Sequence, residues 1–171
     1  VVGDIMFDIF LSMKNNFSKQ IVYNDYGLLT LHRAENTTRE TLQKRIDQVG
    51  KLDIKIVFPI HPRTKKSIND FNIFIPENII LIEPVGWLEL MGLIKKSNFV
   101  ITDSGGLQKE AFWHGKYCLT LRDETEWIEL VKQGTNFLVK EDETIDLNFM
   151  GNSNFINPYG DGKTANMIKD I

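Results

Sequence analysis

Phe99-Val100-Ile101-Thr102-Asp103-Ser104-Gly105-Gly106-Leu107-Gln108-Lys109-Glu110-Ala111 reads as a short apolar strand, a glycine pair and the start of a helix. Working outward, the same alternation recurs. Gly27–Leu31, Lys55–Pro59 and Asn78–Ile82 are apolar runs upstream, and Tyr117–Leu121 lies downstream. Short runs without polar alternation suit strands buried on both faces, as in a parallel sheet. Between the first two runs, Thr37 to Gly50 has a capping-box pair (Thr37, Glu40), one apolar face (Leu42, Ile46, Val49) and a closing glycine, so it predicts a helix. Trp87, Leu90, Met91 and Ile94 share helical spacing, as do Leu107 and Ala111, and Thr125 to Gln133 stops before Gly134. The expected fold is α/β: a Rossmann-like, doubly wound parallel sheet. A polar segment from Lys140 to Pro158 precedes a last short helix, Lys163 to Ile171.

A chain of 171 residues, 42% of them hydrophobic, is long enough for one sizeable core, so a single domain is expected over residues 1–171. No apolar run approaches the ~18 residues of a membrane span, the opening lacks the features of a signal peptide, and Cys118 has no second cysteine to pair with. A soluble, cytoplasmic protein is the expectation. The formal charge of −3 offers no long-range attraction for a nucleic-acid backbone, so any basic residue that binds phosphate must act locally.

Ligands of open α/β sheets bind beyond the carboxyl ends of the strands. The residues there are His32-Arg33-Ala34-Glu35-Asn36, His61-Pro62-Arg63-Thr64, Asp103-Ser104-Gly105-Gly106 and Arg122-Asp123-Glu124-Thr125-Glu126. Glycines admit a close backbone approach and a helix start offers free N–H groups, so a diphosphate suits Ser104, Gly105 and Gly106. Glu110, about one turn further on, is placed to accept from two ribose hydroxyls. The plain alternative is a tight turn followed by a solvated helix glutamate. Gly160-Asp161-Gly162-Lys163-Thr164 resembles the tail of a P-loop, but the other Walker glycine would fall at Asn157 and no strand precedes it. There is no G-x-G-x-x-G, and His32, His61 and His114 show no metal-binding spacing. No metal and no cofactor are expected. His114, beside Gly115, reads as a helix-end residue.

His32-Arg33-x-Glu35-Asn36, Thr102-Asp103-Ser104-Gly105-Gly106-x-Gln108, Arg122-Asp123-x-Thr125-Glu126 and Asn157-Pro158-Tyr159-Gly160-Asp161-Gly162, in this order, resemble the non-hydrolysing UDP-N-acetylglucosamine 2-epimerases. The resemblance runs from Gly3 to the terminal helix and covers the carboxy-terminal half of that family. It implies the second domain of a two-domain enzyme of GT-B type, with an amino-terminal domain outside this chain that supplies the main acid and base groups. It implies a UDP-sugar as ligand and inversion at C2 of the sugar by elimination and re-addition of UDP. By motif, Ser104, Gly105 and Gly106 would hold the diphosphate, Glu110 the ribose and Leu90 the uracil. Arg63 and Arg122 would contact the substrate, and His32 would act on the leaving group. Arg33 and His61 resemble residues that bind a second UDP-sugar as activator. Two departures stand out. Trp127 replaces an arginine of the family's Thr-Glu-Arg-Pro-Glu, and His61-Pro62-Arg63 replaces His-x-Asn-Pro; together with the Gly3–Asp8 opening they look closer to enzymes of a diacetamido-glucuronic acid, whose carboxylate would suit Arg63. The rival readings are a GT-B glycosyltransferase domain using the same pocket and a stand-alone UDP-sugar binding module. The sequence leaves the sugar and the oligomeric state open, a homodimer included, and the chain alone is expected to bind UDP without epimerising.

Overall fold

The structure, a computed structural model, describes residues 3–18, 22–148, 151 and 153–169. Its elements are α1 (Ile5–Met13), β1 (Tyr26–Thr30), α2 (Arg39–Gly50), β2 (Lys55–Pro59), α3 (Pro62–Phe71), β3 (Ile79–Ile82), α4 (Trp87–Lys96), β4 (Phe99–Thr102), α5 (Gly105–Trp113), β5 (Tyr117–Thr120), α6 (Ile128–Lys132), β6 (Asn136–Leu138) and α7 (Thr164–Lys169). The strands form one parallel sheet in the order β3-β2-β1-β4-β5-β6. That order is doubly wound: the chain steps one way from β1 and the other way after β4.

Both faces of the sheet are covered, and this explains the unbroken apolar runs. Leu29, Ile56, Phe58 and Ile101 pack with Leu42, Ile46 and Val49 of α2 and Ile68 of α3. Their neighbours Leu28, Val57, Val100 and Cys118 turn to the other face, against Phe7 and Phe10 of α1, Met91 and Ile94 of α4 and Leu107 and Ala111 of α5. Alternate residues of each strand therefore serve different helix layers.

Two sequence expectations need correction, the cap of α2 and the extent of the helix after Thr125, while the turn at Gly160–Thr164 agrees with its reading. The cap of α2 is Thr38, whose hydroxyl accepts from the Thr41 amide, and not Thr37. Thr37 belongs to a 3₁₀ turn, Glu35–Thr37, and donates its hydroxyl to the Ala34 carbonyl. The helix expected over Thr125 to Gln133 shrinks to α6, because the Thr125 hydroxyl is drawn to Gln108 (2.6 Å) and the Trp127 indole to the Gly105 carbonyl (2.7 Å). Gly160–Thr164 follows no strand, and Gly162 (φ +86°) backs onto Leu11, so this turn packs α7 beside α1 and is not built like a P-loop. Helices α1 and α3 and strand β6 were not singled out in the sequence. The last helix is described only to Lys169, so residues 170 and 171 of the expected helix lie outside the described residues, as do residues 149, 150 and 152 of the polar segment.

Candidate functional site

The strand order places β1 beside β4, and the connections that follow them leave for opposite faces. A crevice opens where they part. Thr30 and Thr102 are partners in register at its floor, their hydroxyls 2.6 Å apart.

Asp103, the residue after β4, is completely buried. Its Oδ2 accepts from the amides of His32 (3.0 Å) and Arg33 (2.8 Å) and from Asn36 Nδ2 (3.2 Å). Its Oδ1 faces His32 Nδ1 at 3.2 Å. Burial alone would raise the Asp103 carboxyl, but these hydrogen bonds, that of the His32 ring foremost, hold it below its ordinary value. The same contact raises His32, against partial burial and the nearby charges of Arg33 and Arg63. Each of these two groups thus favours the charged form of the other.

Ser104 caps α5, its hydroxyl accepting from the Leu107 amide (3.4 Å), and the Gln108 amide side chain donates to the Ser104 carbonyl (3.3 Å). A Cβ at Gly105 would meet the Glu126 carboxylate, which would have to shift to admit it. Gly106 is exposed, with only the Ser104 hydroxyl near its Cβ position at 4.0 Å. The first turn of α5 thus presents amides and a positive dipole end to the opening. Arg122 Nη1 pairs with Glu126 Oε2 at 2.8 Å, which fixes the loop after β5 against Gly105.

Glu110, one turn into α5, is half-buried and accepts from the Trp87 indole at 2.8 Å. Burial raises its pKa, opposed by that hydrogen bond. The solvated-glutamate alternative does not describe it. Leu90 faces a cavity of about 180 Å³ shared with His32, His61, Val85, Ser104 and Leu107. That is below the ~300 Å³ at which drug-sized ligand sites begin. Arg63 Nη1 donates to the His32 carbonyl (3.1 Å), while its own amide donates to His61 Nδ1 (3.2 Å). The His32 and His61 rings lie 5.5 Å apart. Arg33 lies on the other side, 3.4 Å from Glu35, and lines a second hollow of about 540 Å³ with Arg122.

The polar residues that end β1, β2, β4 and β5 therefore meet at one edge. Sequence reasoning missed what holds them: Asp103, Asn36 and Trp87 were each read only as parts of motifs or faces. A carboxylate wedged between a strand and a glycine turn was the available signal for Asp103; nothing local marked Trp87 as the partner of Glu110, 23 residues away. Among the described residues no cluster of three or more His, Cys, Asp or Glu is placed to hold a metal ion, and no helix is long and apolar enough to cross a membrane. Cys118 is buried in β5, its thiol pushed up to about 12 by burial.

The sequence profile described as UDP-N-acetylglucosamine 2-epimerase matches residues 1–171. A UDP-N-acetylglucosamine 2-epimerase from Methanococcus maripaludis is 42% identical over 170 residues, covering 91% of this chain and 46% of that protein. A UDP-2,3-diacetamido-2,3-dideoxy-D-glucuronate 2-epimerase from Pseudomonas aeruginosa is 41% identical over 145 residues, covering 81% and 40%. The crystal structure of the UDP-GlcNAc 2-epimerase of Methanocaldococcus jannaschii, in complex with UDP-GlcNAc and UDP, superposes with a TM-score of 0.90 at 37% identity, covering 99% of this chain and 53% of that one. The chain spans about half the length of the relatives it matches.

Proposed function

The chain belongs to the UDP-N-acetylglucosamine 2-epimerase family, and from that premise we propose that it is the UDP-binding half of an enzyme that inverts C2 of a UDP-acetamido sugar. The observation that carries the reading is the open amino terminus of α5 at the topological switch point, with the His32–Asp103 pair beside it. The diphosphate lies on Ser104, Gly105 and Gly106, where free amides and the helix dipole oppose its charge. Glu110 accepts from the ribose with the oxygen that Trp87 leaves free, and Leu90 packs against the uracil.

In the whole enzyme, a base removes the C2 proton as UDP departs from C1, and both return with C2 inverted. This chain's share is to stabilise the leaving diphosphate, by the α5 amides and by a protonated His32. The proton transfers at C2 belong to groups on a preceding domain that closes the cleft as in GT-B enzymes; a single wall of about 180 Å³ excludes no water. Arg63 and Arg122 reach the sugar and phosphates from flanking loops, and Arg63 suits a uronic acid carboxylate because its guanidinium offers a bidentate fork. The activator role that the family resemblance gives Arg33 and His61 needs a second UDP-sugar that spans the two hollows they line.

Calorimetric titration of the chain with UDP tests this reading. Glu110→Ala is expected to weaken binding by roughly 1.5–3 kcal/mol, the range for hydrogen bonds to a charged group. Unchanged affinity in a folded variant removes the ribose role, and a wild-type chain that fails to bind UDP overturns the proposal.

A further inference from the structure

The carboxylate of Asp103 holds both the loop that follows β1 and the ring of His32. Oδ2 is saturated by the His32 and Arg33 amides and by Asn36, which secures the loop that follows β1. Oδ1 also accepts from the His32 amide (3.2 Å) and, at the same distance, faces His32 Nδ1. A group needed only to tie down the loop would be satisfied by the amides and Asn36, and the ring contact engages in addition a titratable side chain that lines the crevice beside His61. Asp103 also directly precedes Ser104, so its charge lies beside the place where the diphosphate binds. With a neutral imidazole the pair presents one negative charge to an incoming anion; with an imidazolium it presents none. The other charged or titratable groups facing His32 are Arg33 on its own loop and Arg63 and His61 at the start of α3.

We propose that Asp103 is the positioning residue of this site: it fixes the His32 ring through Nδ1, leaves Nε2 for the nucleotide, and makes UDP binding take up the proton that the pair then holds. The proposal rests on the UDP-site reading above for its ligand, whereas the coupling of the two side chains stands without it. The contact at 3.2 Å raises His32 in the free protein, and at a given pH the fraction of imidazole still neutral is what takes up a proton as UDP binds.

The test has two arms, one without ligand. NMR titration of the His32 ring, assigned with His32→Gln, is expected to show a midpoint above the ordinary value near 6.5. In Asp103→Asn, which keeps the size and one acceptor oxygen, that midpoint moves to lower pH by about one to three units, the span for losing an adjacent opposite charge. In the second arm, calorimetric UDP affinity is followed against pH. The pH at which affinity falls moves by the same amount in the variant. Uniform weakening at every pH, with the midpoint in place, shows a merely structural carboxylate and overturns the proposal. If Asp103→Asn does not fold, the wild type decides alone: a His32 midpoint at or below 6.5, with no rise on adding UDP, overturns it. A wild type that binds no UDP defeats the reading of the site, and the ligand-free titration still judges the pair.

Discussion

Helix α5 has a histidine at each end, and the two are opposites. His32, on the loop after β1, stands beside the amino end of this helix of nine residues, roughly 13 Å long, and is held against the buried Asp103 carboxylate. His114 is the carboxyl-terminal cap, with its ring 4.8 Å edge-on from Phe10 and 5.3 Å from Phe17. Dipole reasoning alone would give the positive charge to His114, because cations are favoured at a helix carboxyl end and not at the amino end. The structure reverses that assignment. Burial lowers His114 to about 4, helped by Lys95 and Lys116, while a partner at 3.2 Å raises His32. A specific buried carboxylate outweighs the dipole, which contributes about 0.3–1 kcal/mol at exposed sites. One end of the helix is thereby a place for an anion, and the other an apolar support.

The support is the easier end to break. Phe10 is buried between Phe7, Phe17, Trp113 and His114. Phe10→Ala is expected to cost about 3–5 kcal/mol of stability in a denaturant titration, the range for a large aromatic removed from a core. UDP affinity of the folded fraction should stay as it was. A variant that retains stability but loses UDP would mean that the ends of α5 are not independent.

Acid separates the ends next. Because the folded value of His114 lies below the ordinary 6.5, the unfolded chain binds a proton that the folded chain refuses. Stability therefore falls as pH drops from about 6.5 towards about 4, by at most about 3 kcal/mol, since part of the ring remains solvated. His32 acts with the other sign: its contribution is complete below the unfolded value and disappears as pH rises through its raised folded value. His114→Phe should flatten the acid limb and leave the alkaline one alone, as read by thermal melts from pH 4 to 8. An acid limb identical in the variant would place the proton elsewhere.

These contrasts explain what could be read in advance. The sheet was legible because parallel strands buried on both faces leave unbroken apolar runs, and Lys55–Pro59 and Phe99–Thr102 were placed to the residue. Strand β6, three residues with Asn136 buried in it, carries no such run; its place is fixed by Asn136 bonding to Gln108 and Thr120, which are distant in sequence. The loops that meet at the edge were legible because each follows a strand. The choice between Thr37 and Thr38 as a cap was not, since it turns on Asn36 being drawn 67 residues along the chain to Asp103. Likewise the sequence placed His32 after a strand and His114 at a helix end, but their opposite charge preferences come from a carboxylate 71 residues on and from Phe10 and Phe17, which no local signal announced.

The smallest effect isolates the anion-facing end from ordinary helix capping. Ser104 and Thr38 do the same local work, each hydroxyl accepting from the amide three residues on, at 3.4 Å and 3.3 Å. Replacing either by alanine is expected to cost about 1 kcal/mol of stability, the usual value of a cap. They differ in what lies in front of them: Ser104 lines the crevice, while Thr38 starts α2 on the far side of the Glu35–Thr37 turn. Only Ser104→Ala should also weaken UDP binding, if its hydroxyl and the amides it orders hold the diphosphate as proposed. Paired denaturation and calorimetry on the two variants settle the matter. Equal losses of UDP affinity would show that caps act on the site through the fold as a whole; no loss in Ser104→Ala would leave the Gly105 and Gly106 amides as the sole carriers of the anion.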